Sequence, residues 1–225
     1  MHRETPIDFW ITVAVVISLF VPIWGVLLAP SQLINAPLYL AIVGGITFLI
    51  VVGALIYGEY HNRVFVNRFL YGYLGGLIGT AIVHVFMEIG TAMDLMPSMI
   101  NALGNLALGR GLQDQPSTLA YITGTAYHYL LNGAAWGAVY ALLIGKARWW
   151  YGVFYGIGIW AILMVSPVFY ALDFPQAAAG RGPLLIILML IAHLLYGGAI
   201  GYTVYRFAFP EVGVEGSKAI RPIYG

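Results

Sequence analysis

The stretch "AYHYLLNGAAWGAVY", Ala126 to Tyr140, decides how this chain is read. It sets one imidazole, His128, and one carboxamide, Asn132, among apolar, aromatic and small residues. A similar stretch, "AHLLYGGAIGYTVY", runs from Ala192 to Tyr205. In both, a histidine is followed five residues later by glycine and twelve residues later by tyrosine. Each lies inside a longer apolar run, Thr118 to Ile144 and Pro183 to Tyr205. About 20 such residues in a helix cross roughly 30 Å of hydrocarbon. The runs are continuous and lack the alternation of a membrane barrel strand, so they predict transmembrane helices.

Four further runs have the same character: Phe9 to Ala29, Pro37 to Tyr57, Phe69 to Ala92 and Trp149 to Leu172. The expected fold is an all-α integral membrane protein with six transmembrane helices in one domain, residues 1–209, and a polar tail, residues 210–225. Composition agrees. Hydrophobic residues make up 61% of the 225 and charged residues 8%, against about 25% charged in soluble domains, so lipid is the expected solvent. The first run is too long for a signal-peptide core and no A-x-A site follows, so it is expected to stay as a helix. A net charge of +1 gives no basic face for nucleic acid. With no cysteine, disulfides and thiolate metal sites are excluded.

The basic residues are unevenly shared between the two ends. Arg3, Arg63, Arg68, Lys146, Arg148, Arg206, Lys218 and Arg221 fall on one side of the six runs, and Arg110 and Arg181 on the other. By the positive-inside rule both termini are cytoplasmic, in the inner (plasma) membrane. The long outer connection, Met93 to Ser117, contains Met96, Met99, Leu103 and Leu106 at helical spacing. It predicts one amphipathic helix that lies along the outer interface or dips back into the protein.

The polar residues inside the spans are few and aligned. His84, His128 and His193 lie about 12, 15 and 15 Å below the outer boundary at about 1.5 Å per residue, which places them in one layer. Thr80, His84, Glu88 and Thr91 form a stripe at spacings of four, four and three on the third span; Tyr121, Thr125, His128 and Asn132 form another on the fourth. A carboxylate in a span is expensive, so the stripes are expected to face the bundle interior. The candidate site is therefore His84, His128, His193, Glu88, Thr125 and Asn132. The plain reading is that these residues hydrogen-bond between helices. The sharper readings are a b-type haem between two histidines, a transition metal on the histidines and Glu88, a quinone headgroup, or a proton relay. Met87, Met93, Met96 and Met99 offer soft thioethers suited to Cu(I), but read more simply as adaptable packing on an apolar face.

The G-x-x-x-G pairs Gly133/Gly137 and Gly197/Gly201, with Gly75, Gly76 and Gly79, allow close helix approach or leave room for a flat cofactor. Pro22 and Pro167 are expected to kink the first and fifth spans. There is no P-loop, G-x-S-x-G or H-E-x-x-H, so no catalytic motif supports an enzyme.

From residue 124 to residue 205 the pattern resembles an uncharacterised family of small prokaryotic membrane proteins. The resemblance is carried by His128 with Gly137 and Tyr140, by Tyr155, Gly156 and Trp160 leading to Pro167, and by "HLLYGGAIG" from His193 to Gly201. More distantly the chain looks like YagU-type inner-membrane proteins. Neither resemblance implies an activity. The functional expectation is a non-catalytic membrane subunit or accessory protein of a larger membrane assembly. It would contact the bilayer and other membrane subunits, with electron transfer through haem or quinone as one form. The alternative is a small transporter or channel using the same polar site.

Overall fold

The computed structural model describes residues 6–31, 33–171 and 182–209. The tail, 210–225, lies outside them, as do Arg3, Arg181, Lys218, Arg221 and the predicted end of the fifth span at Leu172. The described residues form helices and no strands. In chain order these are α1 (Pro6–Leu27), α2 (Ala36–His61), α3 (Arg63–Ala92), α4 (Met99–Ala107), α5 (residues 118–143), α6 (Tyr151–Met164), α7 (Pro167–Ala171) and α8 (Gly182–Phe207). Four of them, α1, α2, α3 and α8, are long and apolar enough to cross a membrane, and α6 is apolar but shorter.

Local chemistry sets the breaks. Asn62 ends α2 and caps α3, its side-chain oxygen accepting from the Phe65 amide at 3.1 Å. Ser117 caps α5 in the same way, accepting from the Ala120 amide at 3.1 Å. Gly145, with φ at +64°, follows the end of α5 in a conformation that glycine adopts without cost. Beside it the Arg68 guanidinium donates to the carbonyls of Ala141 and Leu142, at 3.0 and 2.7 Å, and so satisfies the last turn of α5. Lys146 lies at this same end over the Phe209 ring, 5.9 Å from its centroid, and partial burial lowers its pKa.

Helix α3 is the centre of the bundle and packs along α5 and α8, while α6 packs on α8. These contacts run backbone to backbone. A Cβ added at Gly72 would stand 2.6 Å from the Gly137 carbonyl oxygen and 2.9 Å from Ala138 Cα. One at Gly76 would stand 2.7 Å from Ala134 Cα. Gly152 and Gly156 of α6 face Gly197 and Gly201 of α8 in the same way, and Gly104 of α4 faces Gly124 of α5. At these positions the glycine is filled by a neighbouring helix, so the room suggested for a flat cofactor does not exist there.

Five tyrosines fasten helix to helix. The hydroxyls of Tyr39, Tyr73, Tyr127, Tyr155 and Tyr196 donate to the carbonyls of Val21, Leu130, Ile23, Trp136 and Gly133, at 3.2, 3.0, 3.0, 2.9 and 2.6 Å.

Two expectations need correction, and a third is decided between its alternatives. The fifth span does not kink at Pro167 but breaks before it. Pro167 has no amide to continue the helix, and Ser166 takes over both ends: its hydroxyl donates to Leu163 O at 2.8 Å and accepts from Phe169 N at 3.3 Å. Pro22, by contrast, lies inside an unbroken α1. Of the two placements expected for the helix in the outer connection, the structure has the one packed into the protein. Ile100, Leu103, Asn105 and Leu106 of α4 are each at most 5% exposed, because Gly104 and Gly124 let α4 press onto α5. Last, α5 is not a uniform α-helix. Residues Tyr127–Gly133 form a π-helix between the α-helical segments Thr118–Ala126 and Ala134–Leu143. The i→i+5 hydrogen bonds of such a stretch accommodate an extra residue, and π stretches recur at functional sites.

Candidate functional site

Above the glycine contacts the same helices part around a cavity of about 100 Å³. Its floor is one layer of three residues. Thr80 of α3 sits where a Gly133 side chain would be, and the Tyr196 hydroxyl of α8 donates to Gly133 O. The Thr80 hydroxyl is itself tied down, donating to Gly76 O at 2.7 Å. The polar part of the wall is Thr80, His128, Asn132, His193 and Tyr196, and the rest is apolar. Five of the chain's seven methionines also line it: Met87 from α3, Met96 just before α4, Met99 at the start of α4, Met164 at the end of α6 and Met189 from α8.

The six predicted residues are treated differently. His128 and His193 are 8% and 7% exposed and lie on the wall together with Asn132. His84 stands directly behind His128, with ring centroids 6.3 Å apart. Its Nε2 is 3.4 Å from the Tyr121 hydroxyl and 3.3 Å from Glu88 Oε1. Glu88 does not face the interior as expected. Its side chain is 52% exposed, on the outer side of His84. The reason is helical phase: each step of four residues overshoots a full turn by about 40°. A stripe that points inward at Thr80 has therefore rotated out by Glu88. Thr125 is partly buried, and its hydroxyl has no hydrogen-bond partner among the described residues. The histidines and Glu88 do not gather as a metal-ligand cluster; no group of three or more His, Asp or Glu among the described residues does so.

Hydrogen bonding separates the three imidazoles. At 2.7 Å from Met189 O, His193 Nδ1 must carry the proton, since a carbonyl only accepts. The lone pair is then on Nε2. His128 is different: among the described residues neither ring nitrogen has a hydrogen-bond partner. Among the described residues His128 and His193 thus join no helices, whereas His84 of α3 meets the Tyr121 hydroxyl of α5 as the plain reading has it.

The π-helix explains why His128 can sit here. In an α-helix, residues five apart differ by about 140° around the axis. In Tyr127–Gly133 the i→i+5 pairing brings them into line, so His128 shares a face with Gly133. On α8, which is α-helical throughout, His193 does the same with Gly197, four residues on. The repeated five-residue spacing is therefore not a structural repeat. A side chain at Gly198 would meet only Val153 Cγ2, at an ordinary 3.8 Å.

Residues 66–211 match the model of a family of unknown function, DUF6789. The chain belongs to this family. The DUF6789 match takes in α3 with His84 and Glu88, which the resemblance over residues 124–205 does not reach. No curated protein and no solved structure matches the chain. The YagU-type likeness and a prokaryotic source gain no support from the DUF6789 match.

A b-type haem does not fit this cavity. A cavity of about 150 Å³ holds benzene; this one is smaller, and a porphyrin is several times larger than benzene. Sequence reasoning missed Tyr196, Met164 and Met189. The adjacent Tyr196–Gly197 pair was a usable signal for the first, since its ring packs where a Gly79 side chain would be. Nothing in the spacing of the two methionines marks them.

Proposed function

We propose that this protein is a six-span, non-catalytic membrane subunit or accessory protein that holds a small guest in the cavity between α3, α5 and α8. Both termini would be cytoplasmic and the membrane the inner (plasma) one. One observation carries the binding reading: His128 is buried at a cavity wall with neither ring nitrogen paired. Burying an unpaired polar group costs about 1–3 kcal/mol on protein mutational scales, and here it joins no helices. Such a group is intelligible where a guest completes its bonding. The subunit reading is supported by α2. Only 6% of its most apolar window is buried, which leaves a side of the helix open to lipid or to another membrane chain.

The transporter or channel reading fits less well. A path across would have to pass the half where Gly72, Gly76, Gly133 and Gly137 bring backbones into contact. Reconstitution tests the choice. Gently purified protein should carry partner chains or a guest, and the isolated chain in liposomes should move no solute. Purification as a lone, guest-free chain with transport activity would sink the proposal.

Topology has its own test. Arg63, Arg68, Lys146, Arg148 and Arg206 lie at one end of the helices, and Arg110 at the other. His61→Cys should be protected from an impermeant thiol reagent on intact cells, and Gln113→Cys should react. The opposite pattern would invert the proposed orientation.

A further inference from the structure

The nature of the guest can be read from the cavity wall, and this step rests on the binding reading above. Methionine is a good packing residue, so a single thioether at a wall means little. Here five methionines from four separate parts of the chain meet at one cavity, and of the other two, Met93 is 46% exposed. Leucine or isoleucine would fill the same space and is common elsewhere in these helices. What thioethers add is a soft lone pair.

The imidazoles add a second kind of donor. Histidines that bind metals nearly always donate their other ring nitrogen to a carbonyl or carboxylate, which fixes the tautomer. The bond from His193 Nδ1 to Met189 O has this form, and leaves Nε2 as a donor to a metal. The carbonyl belongs to a methionine that is itself on the wall. His128 brings an imidazole with neither nitrogen engaged.

Charge decides between metals. The wall contains no carboxylate, and the chain contains no cysteine, so every donor offered is neutral. Moving a small cation into such a medium costs on the order of 20 kcal/mol in the idealised limit, and a dication several times more. Soft neutral ligands and a low-dielectric wall therefore favour a soft monovalent ion over zinc, iron or magnesium.

The geometry points to a binding site for a soft monovalent metal ion, Cu(I) or its redox-inert stand-in Ag(I), formed by His128, His193 and thioethers of the cavity. No redox step is involved; the ion enters as Cu(I).

The experiment titrates the full-length protein in detergent with Ag(I), and separately with ascorbate-reduced Cu(I), against a chromogenic Cu(I) chelator. Wild type should keep one ion per chain after desalting, and should not keep Zn(II). Replacing Met96, Met99 and Met189 together by leucine conserves volume, and should weaken retention at least tenfold at an unchanged melting temperature. Met93→Leu should bind as wild type. X-ray absorption of the copper form should show nitrogen and sulfur neighbours, and the triple variant should lose the sulfur. Failure of folded wild type to retain either ion would overturn the inference, as would wild-type affinity in the triple variant. An organic guest that co-purifies and is lost in His128→Leu, with no metal bound, would overturn the metal while leaving the binding reading standing. Neither metal nor organic guest would remove both.

Discussion

The two halves of the bundle are built from the same four helices by opposite means. Toward the Arg68 end, α3, α5, α6 and α8 meet through Gly72, Gly76, Gly133, Gly137, Gly152, Gly156, Gly197 and Gly201, and backbone touches backbone. Toward the other end the same helices carry Met87, His128, Met164 and Met189 and stand apart around a cavity. All of residues 134–142 are buried in the closed half of α5, whereas the π-helix before them is buried at Tyr127, His128 and Gly133 only. The difference is one of purpose. Glycine contacts exclude everything, so the closed half can only hold the helices together. The open half tolerates a buried imidazole whose nitrogens have no hydrogen-bond partner among the described residues.

That contrast can be broken most easily at a glycine. Gly137→Leu should cost more than about 4 kcal/mol, since overpacking a backbone contact leaves no relaxation short of separating α3 from α5. Its thermal melt in detergent should collapse or the folded fraction vanish. A wild-type melt would mean that the closed half is not closed.

The floor between the halves should respond less. Tyr196→Phe removes the donor to Gly133 O without changing shape, and should lower stability by about 1 kcal/mol, the usual scale for such bonds in membranes. The readout is the same melt. A loss as large as that of the glycine variant would assign Tyr196 to the closed half.

In the open half the sign should change. His128→Leu removes a buried group with no partner, so stability should hold or rise, within about 1 kcal/mol, while any guest is lost. Clear destabilisation of the guest-free protein would show that His128 is structural, and would end the comparison in its present form.

How much of this was legible beforehand follows the same division. Long apolar runs and G-x-x-x-G pairs are local patterns with one dominant physical use, and α1, α2, α3 and α8 and their glycine contacts follow from them. His84, His128 and His193 could be grouped because depth is counted along each helix. Azimuth could not be counted as safely. Glu88 rotated out of the stripe, and a π-helix within α5 sets His128 in a direction that no α-helical wheel gives. Met164 and Met189 lie on different helices from Met87 and Met99, and only the fold brings them to one wall.

The π stretch has a consequence for how this chain can change. It takes up one residue more than an α-helix would between His128 and Gly133, and so keeps both on one face of α5. Chain length can then change by one residue here without turning the surface that meets a guest away from the surface that clasps α3. Deleting one residue between His128 and Gly133 would make α5 α-helical throughout and set the two four residues apart, as His193 and Gly197 are, about 40° around the axis, so His128 would stay on the Gly133 face while Gly124 drew closer to Gly133 along the helix.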